Sequence, residues 1–315
     1  MCTSIAWNTE NFGTITTRTN DWMEATHPQL GGIPSGTQRF IQGAGNGLKY
    51  TTKYDIVGVI AYGDLDLVHD AVNSEGLQVN ALFYRPMTME PVTKDSQITQ
   101  FTLGEYFLAN YSTVEEILRE LPNLELGSLK LEAMPLDITL HWSVTDRSGD
   151  RAIIELDPDG IDVYRGDEAA VMTNAPSMKD HLADLKKVKP IWVSADRDLD
   201  FGSNGNSNAR SRFIHASYFK QWLKQPSSTV NAMMKLSTVT YRVPQDAPYI
   251  DFGKGMTGYG TEWSMTQSLT TGDSVFQYNF DDHWSTVSFN VYELMGKNFR
   301  TPLDKTQLST FSVEP

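Results

Sequence analysis

Several short segments of the chain combine dense or alternating apolar residues with β-branched and aromatic side chains, as strands do. These segments are residues 55–62, 77–84, 139–145, 151–156, 274–280 and 285–291. The third and fourth segments flank a Ser-Gly turn signal, and the last two lie equally close together, so each pair indicates a hairpin. The pattern therefore predicts antiparallel pairing of strands.

Helical periodicity predicts three helices between these strands. Ser112 and Glu115 fit a capping box, in which each side chain accepts a hydrogen bond from a first-turn amide. The apolar stripe behind this box consists of Val114, Ile117, Leu118 and Leu121. The other two helices are expected over residues 209–224 and 229–236. Their expected buried side chains are Phe213, Ala216, Phe219, Trp222 and Leu223 in the first, and Val230, Met233 and Met234 in the second.

Strand pairs and helices alternate along the whole chain without a clean boundary between domains. This order favours antiparallel sheets covered by helices over an all-β sandwich, and we expect one domain over residues 2–315. Residues 202–208 contain only Gly, Ser and Asn, and they are expected to form a surface loop within that domain.

Composition excludes several classes of protein. The 315 residues include 26 Lys and Arg against 39 Asp and Glu, and the net charge of −13 argues against binding to nucleic acid. A single cysteine excludes an internal disulfide, a CxxC redox pair and a multi-cysteine zinc site. No apolar stretch is long enough to span a membrane, and the first residues are unlike a secretory signal, so we expect a cytoplasmic protein.

The one cysteine, Cys2, directly follows the initiator methionine. Cysteine is small enough for methionine aminopeptidase to remove Met1, which leaves a thiol and a free α-amine on one residue. An α-amine has an unperturbed pKa of about 7.7–8.0, so near neutral pH it can accept the thiol proton and act as the base of its own nucleophile. The ordinary alternative for an arbitrary protein is a small apolar residue at a frayed terminus.

Two charged residues are expected to lie beside Cys2. Residues 2–7 have the pattern of a strand and residues 11–13 that of a turn, so a returning strand would carry Arg18 and Asp21 back to the cysteine. A cation near a thiol favours the thiolate, and a carboxylate can orient an amine. Without Cys2, such a pair would more often be a surface ion pair.

Other candidate motifs give weaker signals. The six histidines show no metal-ligand spacing, and we expect no metal or other cofactor. Residues 43–47 and 157–160 are expected to form turns rather than a phosphate loop and a calcium loop. A histidine–cysteine dyad is an alternative only if Met1 is retained.

Several longer motifs occur in order over residues 2–290. The opening Cys2-Thr3 is followed by Arg18-Thr-Asn-Asp21-Trp22 and by Asp70-Ala-Val-Asn-Ser-Glu-Gly-Leu77. The later motifs are residues 140–149 with Ile153-Ile-Glu155, the Thr-Asn-x-Pro signature of residues 173–176, and Ser211-Arg212-Phe213. In this order and spacing they resemble the choloylglycine hydrolase and penicillin V acylase family.

The resemblance implies an N-terminal nucleophile hydrolase with an α+β fold, a four-layer αββα sandwich of two antiparallel sheets flanked by helices. It makes Cys2 the nucleophile and its α-amine the base, with Asp21 holding that amine and Arg18 beside the thiol. Asn174 would donate its side-chain amide to the oxyanion, a contribution of about 3–4 kcal/mol in other hydrolases. Arg212 would complete the charged site. The family tends to form tetramers, which implies a homotetramer here.

The strand after Leu77 departs from the family, whose members often carry Asn or Tyr where we place Phe83, next to Tyr84. The backbone N–H at this position could still donate to the oxyanion, but a register error of one residue would turn the side chains to the other face. Together with Trp22 and Trp142, these aromatic residues are expected to line a pocket for an apolar acyl group.

We interpret the chain as an amidase that cleaves a linear, non-peptide C–N bond of a small molecule through an acyl-enzyme. Asp21-Trp22 and Ile33-Pro-Ser-Gly36 resemble the acylases of Gram-negative bacteria, which implies penicillin V and N-acyl homoserine lactones as substrates. Conjugated bile salts are the alternative within this class. An inactive homologue that binds an acyl ligand and a thiol redox sensor are the alternatives outside it.

Overall fold

The first residues of the chain form the hairpin that their sequence predicts. Strand β1 (Cys2–Asn8) pairs antiparallel with strand β2 (Thr14–Trp22), which is rich in threonine, a β-branched residue that favours strands. The structure is a computed structural model. It describes residues 2–22, 25–40, 48–62, 65–94, 97–131, 137–193, 201–203, 207–243, 248–250, 256–258, 260–280 and 283–303.

Eighteen further strands and five α-helices follow in the described residues. The strands are β3 (Gln29–Ile33), β4 (Gln38–Phe40), β5 (Lys49–Thr51), β6 (Ile56–Ala61), β7 (Leu67–Asn73), β8 (Gln78–Phe83), β9 (Ile98–Thr99), β10 (Leu126–Gly127), β11 (Leu140–Thr145), β12 (Arg151–Asp157), β13 (Gly160–Arg165), β14 (Val171–Thr173), β15 (Pro248–Ile250), β16 (Met256–Gly258), β17 (Gly260–Ser268), β18 (Asp273–Phe280), β19 (His283–Asn290) and β20 (Phe299–Pro302). The helices are α1 (Leu103–Asn110), α2 (Val114–Glu120), α3 (Met178–Val188), α4 (Ala209–Gln221) and α5 (Thr229–Ser237).

Two large antiparallel sheets contain most of these strands. One has six strands in the order β14-β1-β2-β17-β18-β19, and the other has eight in the order β13-β12-β11-β8-β7-β6-β3-β20. The eight-stranded sheet contains the hairpin predicted at residues 139–156, and the six-stranded sheet contains the one predicted near residue 280. Both sheets therefore combine strands from distant parts of the chain.

The sheets and helices form four layers. Helices α1 and α2 share a core cluster with the eight-stranded sheet, whereas α4 packs on β14 and β1, and α5 on β2 and β17. Between the sheets, Val57 and Val59 pack against Met265 and Phe276. The α+β fold with an αββα arrangement is therefore confirmed. The expectation of one domain over residues 2–315 stays a prediction.

Some details of the predicted helices were wrong. Helix α2 is capped by Thr113, whose hydroxyl accepts from Glu116 N at 3.2 Å, while Glu116 accepts from Ser112 N at 2.7 Å. The capping box thus lies one residue beyond the predicted one. Thr113 and Glu116 are three residues apart, as Ser112 and Glu115 are, so the sequence pattern fits both pairs. In α4, at its C-cap and in α5, four residues predicted as buried are 41–66% exposed, since an outer helix contacts a sheet on one side only. These residues are Phe219, Trp222, Val230 and Met234.

The weaker loop motifs have mixed outcomes. Residues 157–160 form a tight turn between β12 and β13, as predicted. Residues 43–47 lie outside the described residues, as do residues 204–206 of the predicted surface loop. At the end of that loop, Asn208 caps α4, because its Oδ1 accepts from Ser211 N at 2.9 Å.

Candidate active site

The register of the β1–β2 hairpin places Arg18 and Asn20 beside Cys2. Asn20 lies directly opposite Cys2 and Arg18 opposite Ser4, so these side chains share the sheet face that looks onto the second sheet. Cys2 Sγ lies 3.7 Å from Asn20 Oδ1 and 3.8 Å from Arg18 Nη2, and the cysteine is 2% exposed. The structure thus brings a cation to the sulfur of the predicted nucleophile.

Arg18 reaches from the first sheet to the second. Its Nη2 donates to Ala81 O on β8 at 3.0 Å, and its Nε lies 3.3 Å from Asp70 Oδ2 on β7. Its guanidinium lies 4.4 Å from the centre of the Trp263 ring. A charge buried this deeply needs a paired counter-ion. Among the described residues, Asp70 is the carboxylate that meets this need.

Asp70 is itself held by two neighbours. Asn80 Nδ2 donates to Asp70 Oδ1 at 2.8 Å, and His69 Nδ1 is hydrogen-bonded to Asp70 Oδ2. Burial lowers the pKa of His69, although the charge of Asp70 opposes this effect. The imidazole is therefore neutral at neutral pH and donates to Asp70 through Nδ1.

Asn174 and Arg212 contact the backbone of Cys2. Asn174 follows β14, and its Oδ1 accepts from Cys2 N and, at 2.9 Å, from Arg212 Nη2. Arg212, on α4, donates through Nη1 to Cys2 O and, at 2.7 Å, to Thr3 Oγ1. Burial lowers the pKa of Arg212, and the charges of Asp21 and Cys2 oppose the shift. As long as Met1 precedes Cys2, the Cys2 nitrogen is a peptide N–H.

Asp21 lies on the face of β2 opposite to that of Arg18 and has no exposed surface. Thr261 Oγ1 on β17 donates to Asp21 Oδ1 at 2.7 Å. Burial raises the pKa of Asp21, while the charge of Arg212, the hydrogen bond from Thr261 and the charge of Arg18 oppose the rise. The Asp21 carboxyl therefore interacts electrostatically with Arg212, on the helix side of the sheet.

His181 fixes the backbone of Asn174. Its Nε2 lies 2.8 Å from Asn174 O, and its ring stacks on Phe213 with the ring centres 4.6 Å apart. Its Nδ1 has no hydrogen-bond partner among the described residues. Burial lowers the pKa of His181 to about 4. The neutral imidazole therefore donates through Nε2 to the carbonyl of Asn174.

Because His181 is buried, we expect the protein to lose stability in acid. The pKa of His181 is about 4 in the folded state against 6.5 for an unperturbed histidine, so the unfolded chain binds the proton more tightly. The contribution of His181 to the free energy of unfolding is complete above pH 6.5. About 3 kcal/mol of it is lost as the pH falls towards 4. His181→Gln keeps an amide donor but has no titrating ring. Its free energy of unfolding, measured with urea, should therefore decrease less between these pH values than that of the unmodified protein. An equal decrease in both proteins would contradict this origin.

The predicted aromatic residues separate into two groups. The ring centres of Trp22 and Phe83 are 5.6 Å apart, and Phe83 O accepts from Asn174 Nδ2 at 2.7 Å, so this pair lies beside Asn174. Tyr84 instead bonds through its hydroxyl to Asp157 Oδ1 at 2.7 Å, and Trp142 packs against Gly104 of α1. The described contacts do not bring Tyr84 or Trp142 to Cys2.

Sequence reasoning missed part of the group around the sulfur. Asn20 carries a detectable signal, because strand alternation puts it on the same face as Arg18. In the sequence Asp70 is recognisable only as the start of a motif. Its contact with Arg18 joins two sheets, which no local pattern indicates. The same holds for Asn80, which reaches Asp70 from β8.

The described ranges contain neither a metal-binding cluster nor a membrane-spanning helix. In them no three side chains of His, Cys, Asp or Glu are placed to hold a metal ion. None of the described helices is long and apolar enough to cross a membrane.

Comparison with known proteins assigns the chain to a family. The sequence profile of the linear amide C–N hydrolases of the choloylglycine hydrolase family matches residues 2–310. The chain belongs to the choloylglycine hydrolase family. The resemblance inferred from the motifs is thereby confirmed.

Two relatives illustrate the similarity in sequence. Penicillin V acylase from Pectobacterium atrosepticum is 29% identical over 215 residues, which are 65% of this chain and 55% of that protein. Bile salt hydrolase/transferase from Clostridium perfringens is 25% identical over 239 residues, 70% of this chain and 72% of that protein. The chain thus spans little more than half the length of the first relative.

Two solved structures share the fold of this chain. A mutant of the conjugated bile acid hydrolase from Clostridium perfringens matches with a TM-score of 0.79 at 18% identity, covering 100% of this chain and 99% of that one. Penicillin V acylase from Agrobacterium tumefaciens matches with a TM-score of 0.77 at 24% identity, covering 96% and 91%. The chain therefore has the same overall fold as these two proteins.

Proposed function

We propose that this protein hydrolyses a small, linear amide with Cys2 as nucleophile and the α-amine of Cys2 as base. The observation that carries the proposal is the position of Cys2, whose sulfur lies at Arg18 and Asn20 while its backbone lies at Asn174 and Arg212. A thiol on one side and a nitrogen on the other are thus held by separate groups of buried polar side chains. Membership in a family of amide hydrolases supports this assignment.

Activation requires removal of Met1. While Met1 is attached, the Cys2 nitrogen is an amide, which cannot accept a proton. Once freed, it is an amine that can take the thiol proton during attack and return it to the leaving amine. The free amine of Cys2 can still donate to Asn174 Oδ1. When this amine is protonated, the nearby carboxyl of Asp21 can stabilise its charge.

The oxyanion is proposed to bind at Asn174. The Asn174 amide group carries two donor hydrogens, and Phe83 O at 2.7 Å accepts one of them. The second is available for the oxygen that becomes negative when Cys2 attacks the carbonyl. Arg212 orients this amide, because it donates to the opposite end of the same side chain at 2.9 Å.

The reaction then follows the usual two steps of covalent hydrolysis. Attack by Cys2 Sγ forms a tetrahedral intermediate, which releases the amine and leaves a thioester acyl-enzyme. Water, deprotonated by the same α-amine, attacks the thioester and releases the carboxylic acid. No step requires a metal or cofactor.

A small apolar cavity lies behind the strand that holds Arg18, on the α1 side of the eight-stranded sheet. A cavity of about 50 Å³ lies next to Ala81, whose carbonyl holds Arg18, and its lining is mostly apolar. Its lining side chains include Tyr62, Leu67, Phe101, Ile138, Leu140 and Trp142. This volume is well below the ~300–1,000 Å³ of typical ligand pockets, and the cavity lies across the sheet from Cys2. The apolar surface proposed for the acyl group is therefore the pair of Trp22 and Phe83 beside Asn174.

A substrate panel tests the proposed activity. Penicillin V and several N-acyl homoserine lactones are compared with glycocholate and taurocholate, and release of the amine is measured for each. We expect turnover of the first group, which the 29% identity to a penicillin V acylase supports. Turnover of the bile salts alone would select the alternative supported by the bile salt hydrolase relatives. Binding without turnover of any amide would indicate an inactive acyl-binding homologue.

Assembly as a homotetramer is retained as a proposal from the family resemblance. Light scattering after size-exclusion chromatography measures the molar mass directly. A mass near four times the chain mass of 35.3 kDa is expected, and a monomer mass would contradict the proposal.

A further inference from the structure

The cation at the Cys2 sulfur has its counter-ion on the other sheet. Arg18 Nη2 lies 3.8 Å from Cys2 Sγ, while Arg18 Nε lies 3.3 Å from Asp70 Oδ2. An unpaired guanidinium so close to a thiol would favour the thiolate strongly. The paired Asp70 carboxylate cancels most of this effect, because its charge is equal and opposite.

We propose that Asp70 is a positioning residue, which holds Arg18 across the gap between the sheets and neutralises it, so that the protonation of Cys2 is governed by the α-amine rather than by Arg18. This inference rests on the nucleophilic role proposed for Cys2. Among the described residues no hydrogen bond or ion pair joins Asp70 to the Cys2 sulfur, so Asp70 acts through Arg18.

The first support is the set of contacts that Arg18 makes besides Asp70. Ala81 O fixes the position of Nη2 at 3.0 Å, and Trp263 covers the guanidinium at 4.4 Å. Among the described residues, Nε and Nη1 have no hydrogen-bond partner. Without Asp70, Arg18 would therefore keep its place through Ala81 and Trp263 but would lose its charge compensation.

The second support is that Asp70 is rigidly oriented. Asn80 holds Oδ1 at 2.8 Å and neutral His69 holds Oδ2, and the Asp70 side chain is 4% exposed. The other titratable or charged side chains around the site are Asp21 on β2, Glu262 on β17, which accepts from Asn20, and Arg212 on α4. None of them is within ion-pair distance of Arg18 in the described structure.

The test is a titration of the Cys2 thiol in protein that begins at Cys2. The ultraviolet absorbance of the thiolate is followed against pH, with the absorbance of the matching Cys2→Ala protein subtracted. Since the chain has one cysteine, the signal belongs to Cys2. The variants are Asp70→Asn, Arg18→Met and the double variant. No substrate is needed, so a failure of the proposed hydrolysis would not affect the measurement.

We expect Asp70→Asn to raise the ratio of thiolate to thiol about tenfold at a given pH, because an uncompensated Arg18 favours the charged sulfur. In the double variant the ratio should return towards that of the unmodified protein, since Arg18 is then absent. The matched control is Glu105→Gln, which removes an equally buried carboxylate, 3% exposed, that is paired with Arg39 on the helix side of the sheet. This control should leave the titration of Cys2 unchanged.

Three results would overturn the proposal. These are an unchanged or lowered thiolate ratio in Asp70→Asn, a raised ratio that persists in the double variant, and an equal change in Glu105→Gln. If Asp70→Asn alone fails to fold, the double variant decides. Folding of the double variant would support the proposal, because the defect then comes from unpaired Arg18, and its failure to fold would contradict it.

Discussion

Replacing Cys2 with alanine should abolish amide hydrolysis and leave the fold intact. The substitution removes the sulfur that attacks the carbonyl, and none of the other side chains at the site is a thiol, because the chain has one cysteine. The structural cost is small, since the polar contacts of Sγ with the described residues are long, 3.7 Å to Asn20 and 3.8 Å to Arg18. Turnover is measured with the best substrate of the panel, and folding by thermal unfolding.

The matched control for this change is Thr17→Ser on strand β2. Thr17 is 2% exposed, like Cys2, and its hydroxyl is bonded to Thr266 Oγ1 at 2.8 Å on the face away from the sulfur. We expect this variant to retain activity. Clear residual turnover in the folded Cys2→Ala protein would remove Cys2 from the role of nucleophile.

Replacing Asn174 with alanine should lower kcat by about 10²–10³, the effect of removing one oxyanion donor in other hydrolases. In this protein the loss also frees Arg212 Nη2 and Cys2 N from their shared acceptor. Asn174→Asp separates these roles, because it keeps an acceptor for Arg212 and Cys2 but has no donor for the oxyanion. We therefore expect kcat to fall in Asn174→Asp as well.

Steady-state kinetics of both Asn174 variants decides this point. A fall in kcat in both variants with a similar KM supports donation in the transition state. An unchanged kcat in Asn174→Asp would mean that Asn174 only positions Arg212 and Cys2. An unchanged kcat in Asn174→Ala would place the residue outside the reaction altogether.

The local parts of the site could be predicted from the sequence. Alternation and the turn at residues 11–13 predicted the hairpin, and the hairpin alone brings Arg18 next to Cys2. Asn174 and Arg212 came from motif resemblance, because nothing local connects a residue after β14 and a residue on α4 with the start of the chain. The structure shows the connection, since β14 is the neighbour of β1 in the sheet.

Contacts between layers could not be predicted in this way. The pairing of Arg18 with Asp70 depends on which sheet faces which, and the pattern of a single strand carries no such information. Tyr84 illustrates the limit at a strand end, because β8 ends at Phe83 and alternation no longer governs the next side chain. Trp142 is buried as its apolar strand predicts, but on the face covered by α1.

The central claim is that the nitrogen of Cys2, once free, is the base for its own thiol. The most direct test is a fusion in which a removable leader precedes Cys2, assayed before and after a protease exposes that residue, with intact mass confirming each form. We predict that amide hydrolysis, and covalent capture of Cys2 by an electrophilic substrate analogue, are gained only on cleavage. Equal hydrolysis by the uncleaved fusion would contradict the account, because another group would then accept the proton.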